Sequence, residues 1–122
     1  MNRKGDLAYT YFFTKDAPEA GDDHHGAYHG SELPLIFDTM TREGRPYTGS
    51  HFELSVMMRS YFANFLKTGD PNSAGLPKWR KPTVSIYEFL ELGDQVGMVN
   101  IARTENRAFV VDYMIKQAEK AK

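Results

Sequence analysis

A run of aromatic and β-branched residues predicts a strand near the start of the chain. Residues 8–13 (AYTYFF) are aromatic or β-branched almost throughout, which is typical of strands. Because apolar and polar residues do not alternate cleanly in this segment, we expect it to be buried on both faces, in the middle of a large mixed or parallel sheet.

The clearest helical pattern covers residues 51–67. Ser50, followed by Glu53 three residues later, matches a capping box at the helix N-terminus. Gly69 suits the left-handed residue that ends many helices. One face of the predicted helix is apolar, and we interpret it as a core face rather than a cofactor site. That face comprises Leu54, Met57, Met58, Tyr61, Phe62 and Phe65.

The C-terminal third predicts a hairpin followed by a helix. Residues 84–92 and 96–102 have the composition of strands, and Gly93 and Asp94 form a turn signal between them. We expect this hairpin at one edge of the sheet. Thr104 can cap a final helix from about residue 105, in which the pairs Phe109–Tyr113 and Val110–Met114 lie four apart. Together these elements predict an α/β fold.

A histidine lies in the segment between the first strand and the long helix. His29 stands between Gly26 and Gly30 in residues 26–37 (GAYHGSELPLIF). Glycine tolerates positive φ, so such a loop can hold an imidazole at a fixed point, where histidine is suited to acid–base chemistry near neutral pH. We expect Pro34 to end any helix begun at Ser31, and residues 35–37 to pack inward.

The two connecting loops carry weaker predictions. We expect residues 39–49 to form a mobile connector, and residues 70–82 to form a loop bounded by prolines. Within the second loop, Trp79 is expected to fill a surface groove rather than to bind a ligand.

Composition excludes several classes of function. A chain of 122 residues suffices for one small domain, and 15 basic against 16 acidic residues give a net charge of −1, which offers no field for binding nucleic acid or an anionic membrane. We expect a soluble chain, because no apolar run is long enough to span a membrane and the N-terminal MNRKGDL lacks the apolar core of a signal peptide. Without cysteine there are no disulfides and no thiol chemistry.

Two blocks of this sequence resemble one enzyme family. Residues 26–37 resemble the histidine loop of type-B carboxylesterases, the α/β-hydrolase family that includes the cholinesterases. Residues 58–72 (MRSYFANFLKTGDPN) and 75–79 (GLPKW) are similar to the family's next block, in the same order and at a comparable spacing. The resemblance implies that residues 1–122 form a single partial domain, the C-terminal part of an α/β-hydrolase.

The resemblance also implies a chemistry. His29 would be the catalytic histidine of a serine esterase that acts on small-molecule esters without a cofactor. In α/β-hydrolases the serine, on a G-x-S-x-G turn, and the acid precede the histidine. Neither Ser31 nor Ser73 has the flanking glycines. We therefore expect the chain to be inactive alone and to depend on a missing N-terminal portion, with Glu32 bracing the loop rather than serving as the triad acid.

Two alternatives come from other classes. The first is a divalent-metal site, because acidic residues and histidines are crowded between positions 22 and 29: Asp22, Asp23, His24, His25 and His29. His25 and His29 are four residues apart, a spacing that binds zinc when both histidines lie on a helix. Gly26 lies between them and disfavours a helix, so we predict no metal site. The second is a non-catalytic interaction fragment, with homo-oligomers formed through apolar surface and strand edges that lack neighbours.

Overall fold

The computed structural model describes residues 7–19, 25–83 and 88–100, with Phe109, Asp112, Tyr113, Lys116 and Glu119. The elements in chain order are β1 (Tyr11–Phe13), α1 (Leu33–Ile36), a 3-10 turn (Met40–Arg42), α2 (Gly49–Thr68), β2 (Glu88–Leu92) and β3 (Val96–Asn100). The predicted α/β architecture and the long helix are thereby confirmed.

The described strands form a mixed sheet in the order β1-β2-β3. β1 pairs in parallel with β2, with Tyr11 opposite Leu90, and β2 pairs antiparallel with β3, with Leu90 opposite Met98. The hairpin is confirmed for the described residues of both predicted strands, and β3 lies at the edge of this sheet. Residues 84–87 and 101–102, which the prediction included, lie outside the described residues.

β1 is shorter than predicted and is not buried on both faces. Residues 7–13 alternate instead, with the odd-numbered side chains partly buried and the even-numbered ones exposed. Phe12 remains 58% exposed and makes an edge contact with Phe89, at 5.7 Å between ring centroids. The expectation of two-sided burial is wrong for this chain, because only one face of β1 meets the core in the part of the chain that is described.

The long helix begins at a different cap from the one predicted. α2 starts at Gly49, and its capping box joins Thr48 to His51 rather than Ser50 to Glu53. The Ser50 hydroxyl instead accepts a hydrogen bond from the Lys15 ammonium at 3.0 Å. The C-terminus agrees with the prediction, because Gly69 has a φ of 78° and its N–H donates to the carbonyl of Phe65.

The apolar face of α2 forms much of the core. Leu54, Met58 and Tyr61 are buried against the sheet and α1, as predicted, whereas Phe65 at the end of the stripe is 46% exposed. The buried cluster consists of Leu35, Met40, Leu54, Met58, Tyr61, Trp79, Leu90 and Leu92. Met40 anchors the connector between α1 and α2 in this cluster.

Trp79 lies inside the protein rather than in a surface groove, which corrects the prediction. It is 5% exposed, and its indole N–H donates to the carbonyl of Thr10 at 3.1 Å. Its ring makes edge contacts with Tyr9, Tyr11 and Tyr61 at centroid distances of 5.5–6.1 Å. The loop after α2 therefore closes over the junction between the helix and β1.

Pro34 does not end a helix, contrary to expectation, but lies in the first turn of α1. Proline is tolerated there because its missing N–H would have had no intrahelical partner. Of the three residues expected to pack inward, Leu35 is buried and Ile36 partly so, but Phe37 is 69% exposed. The carbonyl of Leu35 accepts a hydrogen bond from the buried Ser55 hydroxyl at 2.6 Å, which fixes this short helix on α2.

The five described residues beyond position 100 are all helical, in agreement with the predicted final helix. Lys116 donates to the carboxylate of Asp112, four residues earlier, at 2.6 Å. The predicted cap Thr104 and the pair Val110–Met114 lie outside the described residues. Within the part of the chain that is described, no helix is long and apolar enough to cross a membrane.

The two faces of α2 give a matched test of this packing. Leu54 is 3% exposed and Leu66 is 83% exposed on the same helix. We expect Leu54→Ala to lower the free energy of unfolding by about 2–5 kcal/mol, because it leaves a cavity in the core. Leu66→Ala should change it by no more than about 0.5 kcal/mol. Urea unfolding of both variants checks this, and equal losses would contradict the placement of the core.

Candidate functional site

His29 is presented by a tight loop that follows β1. Gly26 and Gly30 lie on either side of the exposed His29. They turn the chain because both have positive φ, 58° at Gly26 and 86° at Gly30. A hydrogen bond from the N–H of Ser31 to the carbonyl of Tyr28, at 3.0 Å, closes the turn around His29. Both glycines thus have the left-handed backbone that L side chains rarely adopt, as expected from the sequence.

The base of this loop is bonded on two sides. The N–H of Ala17 donates to the carbonyl of Gly26 at 3.1 Å, which joins the chain leaving β1 to the start of the histidine loop. One residue further, the carbonyl of Pro18 accepts from the Arg45 guanidinium at 3.0 Å. The chain before His29 is therefore held to the connector ahead of α2.

His51 is a third link that the sequence pattern gave no reason to select. Its ring is 7% exposed, with Nδ1 at 3.2 Å from the backbone N of Thr48 and Nε2 at 3.0 Å from the carbonyl oxygen of Asp16. The available signal was a histidine at the third helical position after a threonine cap, where glutamate or glutamine is usual. Its second partner, 35 residues away, has no local signature.

Lys15 joins three elements at the same end of the sheet. Its ammonium pairs with the carboxylate of Asp94, in the turn between β2 and β3, and donates to Ser50 in the first turn of α2. The hydrogen bond and the positive charge of Lys15 hold the pKa of Asp94 below its usual range. Lys15 is largely buried and Asp94 largely exposed, so water screens this pair.

The other residues singled out near His29 have separate environments. Ser31 is buried, and its hydroxyl has no hydrogen-bond partner among the described residues. Glu32 lies at the N-cap of α1 without a side-chain cap bond. Its negative charge, after the larger effect of burial, raises the pKa of the Tyr11 phenol. The structure does not bring Ser31 and Glu32 together with His29 as a triad.

The structure describes only some of the residues that the sequence suggested as metal ligands. His25 and His29 are both exposed, and the His25 ring makes an edge contact with Tyr28 at 6.2 Å. The remaining candidates, Asp22, Asp23 and His24, lie outside the described residues. Within the described ranges, no three side chains of the ligating types are grouped so that they could hold a metal ion.

Comparison with known proteins identifies what this arrangement is similar to. The model of the carboxylesterase family matches residues 1–110. Carboxylesterase 4A of Bos taurus is 38% identical over 90 residues, which are 69% of this chain and 15% of that protein. Acetylcholinesterase 1 of Caenorhabditis elegans is 39% identical over 69 residues, or 56% of this chain and 11% of that protein.

A solved structure extends the match to three dimensions. The structure of a PNB esterase superimposes with a TM-score of 0.64 at 25% identity, covering 82% of this chain and 20% of the esterase. The predicted fold class, a segment of an α/β-hydrolase, is confirmed by this similarity. The chain spans only about a fifth or less of the length of these three proteins.

The Lys15–Asp94 pair predicts a dependence of stability on pH. Because the pKa of Asp94 is lowered in the folded state, its contribution is fully present above the unfolded value of about 3.9 and is lost as the pH falls through the folded value. Asp94→Asn should therefore lower Tm at neutral pH, and this difference should shrink under acidic conditions. Scanning calorimetry at several pH values measures it.

Lys15→Met supplies the control for this pair. In the Lys15→Met background, Asp94→Asn should no longer give a pH-dependent difference in Tm, because the interaction that lowers the pKa of Asp94 is absent. The same pH-dependent difference in both backgrounds would show that Lys15 is not the cause.

Proposed function

The chain belongs to the carboxylesterase family, and we propose that it is the C-terminal, histidine-bearing part of a carboxylic ester hydrolase domain. The observation that carries this proposal is the placement of His29. The histidine is exposed, lies in the connection between β1 and α1, and is flanked by two glycines in the left-handed conformation. In open α/β sheets, ligands bind beside the carboxyl ends of the strands, and this loop leaves that end of β1.

In this proposal His29 is the general acid and base of a serine esterase. Its imidazole would accept the proton of the attacking serine hydroxyl and return it to the departing alcohol. It would then take a proton from the water that releases the acyl group. The substrate would be a small-molecule carboxylic ester, because this chemistry acts on an acyl carbon and requires no cofactor from this chain.

The serine and the acid would come from a portion of the domain that the chain does not span. Ser31 is buried and has no G-x-S-x-G context, and Glu32 makes no contact that would orient the His29 imidazole in the described structure. The chain would therefore be inactive alone. Its first partner would be the remaining, N-terminal portion of such a domain.

Replacement of His29 tests the catalytic role. In an enzyme completed by the upstream portion, we expect His29→Ala to lower kcat/KM for a short-chain p-nitrophenyl ester by at least about a thousandfold, since one triad member is lost while the protein remains folded. Exposed His25, four residues earlier, is the matched control, and His25→Ala should retain most of the activity.

Two further results bear on the same proposal. The isolated 122-residue chain should hydrolyse the ester no faster than free imidazole does. Equal activity of the wild type and His29→Ala in the completed enzyme would refute the catalytic assignment and leave the interaction fragment as the better description.

The exposed apolar surface supports a second part of the proposal, which concerns association. Phe12, Phe37, Val56 and Leu66 are each more than half exposed. An apolar groove of about 260 Å³ also lies between β1 and α2. A contiguous apolar groove of this kind marks a surface that another chain or domain covers. In the complete domain the upstream portion would cover this groove and the exposed face of β1, and without it copies of the chain would cover one another.

Light scattering on the isolated chain tests this association. We expect dimers or larger species that dissociate on dilution, and we expect Phe12→Glu to shift them toward monomers, because it places a charge on the exposed face of β1. Thr41→Glu adds the same charge at an exposed polar position and should leave the distribution unchanged. A monomeric wild type with a high, cooperative melting transition would contradict the proposal.

A further inference from the structure

His51 is buried and is bonded at both ring nitrogens. Its Nδ1 lies 3.2 Å from the backbone N of Thr48 and 2.9 Å from the Thr48 hydroxyl oxygen. On the other side of the ring, Nε2 lies 3.0 Å from the carbonyl oxygen of Asp16. The ring therefore bridges the first turn of α2 and the chain that leaves β1.

The chemistry of these partners fixes the tautomer. The backbone N–H of Thr48 can only donate, so Nδ1 must accept. The carbonyl of Asp16 can only accept, so Nε2 must carry the proton. A neutral imidazole protonated at Nε2 satisfies both partners at once. The Thr48 hydroxyl can also donate to Nδ1, which this tautomer permits.

The Asp16 end of this bridge leads directly to the histidine loop. The next residue, Ala17, donates its N–H to the carbonyl of Gly26, the glycine that opens the loop around His29. A Cβ added at Gly26 would lie 3.5 Å from the Asp16 carboxylate oxygen, so the two segments are in close contact. His51, Asp16 and Gly26 thus form a short bonded path from α2 to the loop.

We propose that His51 is a positioning residue, which holds the base of the histidine loop against the first turn of α2. The proposal rests on the proposed function of His29, since that imidazole is the group being placed. The turn around His29 runs directly into α1, which the Leu35–Ser55 hydrogen bond fixes on α2, so it is the near end of the loop whose placement depends on the bonds at the loop base. Besides His51, the Arg45–Pro18 hydrogen bond supplies such a bond.

Three substitutions of His51 distinguish its part in the cap of α2 from its hydrogen bond to Asp16. His51→Ala removes both. His51→Glu keeps an acceptor for Thr48, as glutamate does in an ordinary capping box, but it has no proton to donate to the Asp16 carbonyl. His51→Gln has both an acceptor and a donor, and therefore serves as the conservative rescue.

The test uses nitrogen-15 NMR on the 122-residue chain. The ring nitrogens of His51 should show the Nε2-protonated neutral tautomer. Backbone order parameters at 26–30 should fall from about 0.85 toward 0.6 or lower in the Ala and Glu variants, and should stay near the wild-type values in His51→Gln. Amide exchange in α2 should increase only in His51→Ala, because the Glu and Gln variants keep the cap.

Two results would overturn the proposal. One is an unchanged set of order parameters at 26–30 in His51→Glu, which would show that the bond to Asp16 does not hold the loop. The other is faster amide exchange in α2 accompanying loop loosening in that variant, since His51 would then act through the helix alone. The measurement does not depend on turnover, so its failure is distinct from an active His29→Ala enzyme.

Discussion

The packing of Trp79 between the helix and the sheet is the contact on which the rest of the structure depends. Its indole N–H donates to the carbonyl of Thr10, which also accepts the N–H of Leu90, so one oxygen joins the loop after α2 to the pairing of β1 with β2. Beneath the indole, the Tyr61 hydroxyl donates to the carbonyl of Pro77. Burial raises the pKa of Tyr61 to about 12, so the phenol remains a neutral donor at ordinary pH. Large aromatic side chains contribute most when their polar ends are bonded in this way.

This core leaves a second set of interactions, at the N-terminus of α2, to hold the chain before the histidine loop. Three side chains form these interactions, those of Lys15, His51 and Arg45, and each bonds a different segment. Each partner is distant in sequence rather than a neighbour along the same helix or strand. The division has a physical reason. Apolar contact is non-directional and sets the distance between helix and sheet, whereas hydrogen bonds fix the orientation of a loop that has few apolar contacts of its own. These hydrogen bonds hold the chain that leads into the loop around His29.

The two ends of α2 show why local sequence patterns succeed at one site and fail at another. Gly69 at the C-terminus could be recognised because the requirement for positive φ is met within the same few residues. At the N-terminus, Thr48 and Ser50 lie two apart and either hydroxyl can cap a helix. Part of the choice is made by a residue far away in sequence, because Lys15 bonds the Ser50 hydroxyl, while His51 completes the box with Thr48 locally. A local pattern could not include Lys15.

The sequence by itself determined the kinds of element, the mixed order of strands and helices, and the family, since composition, spacing and the two motif blocks are local properties of the chain. It also singled out His29, because two flanking glycines report a backbone shape that other residues avoid. Tertiary structure decided which faces are buried. Phe12 and Phe37 are as apolar as the residues of the core, yet they are exposed, because burial depends on which elements lie opposite. It also decided the environment of His51, whose hydrogen bond with the carbonyl of Asp16 spans 35 residues and arises only when α2 and the chain leaving β1 are brought together.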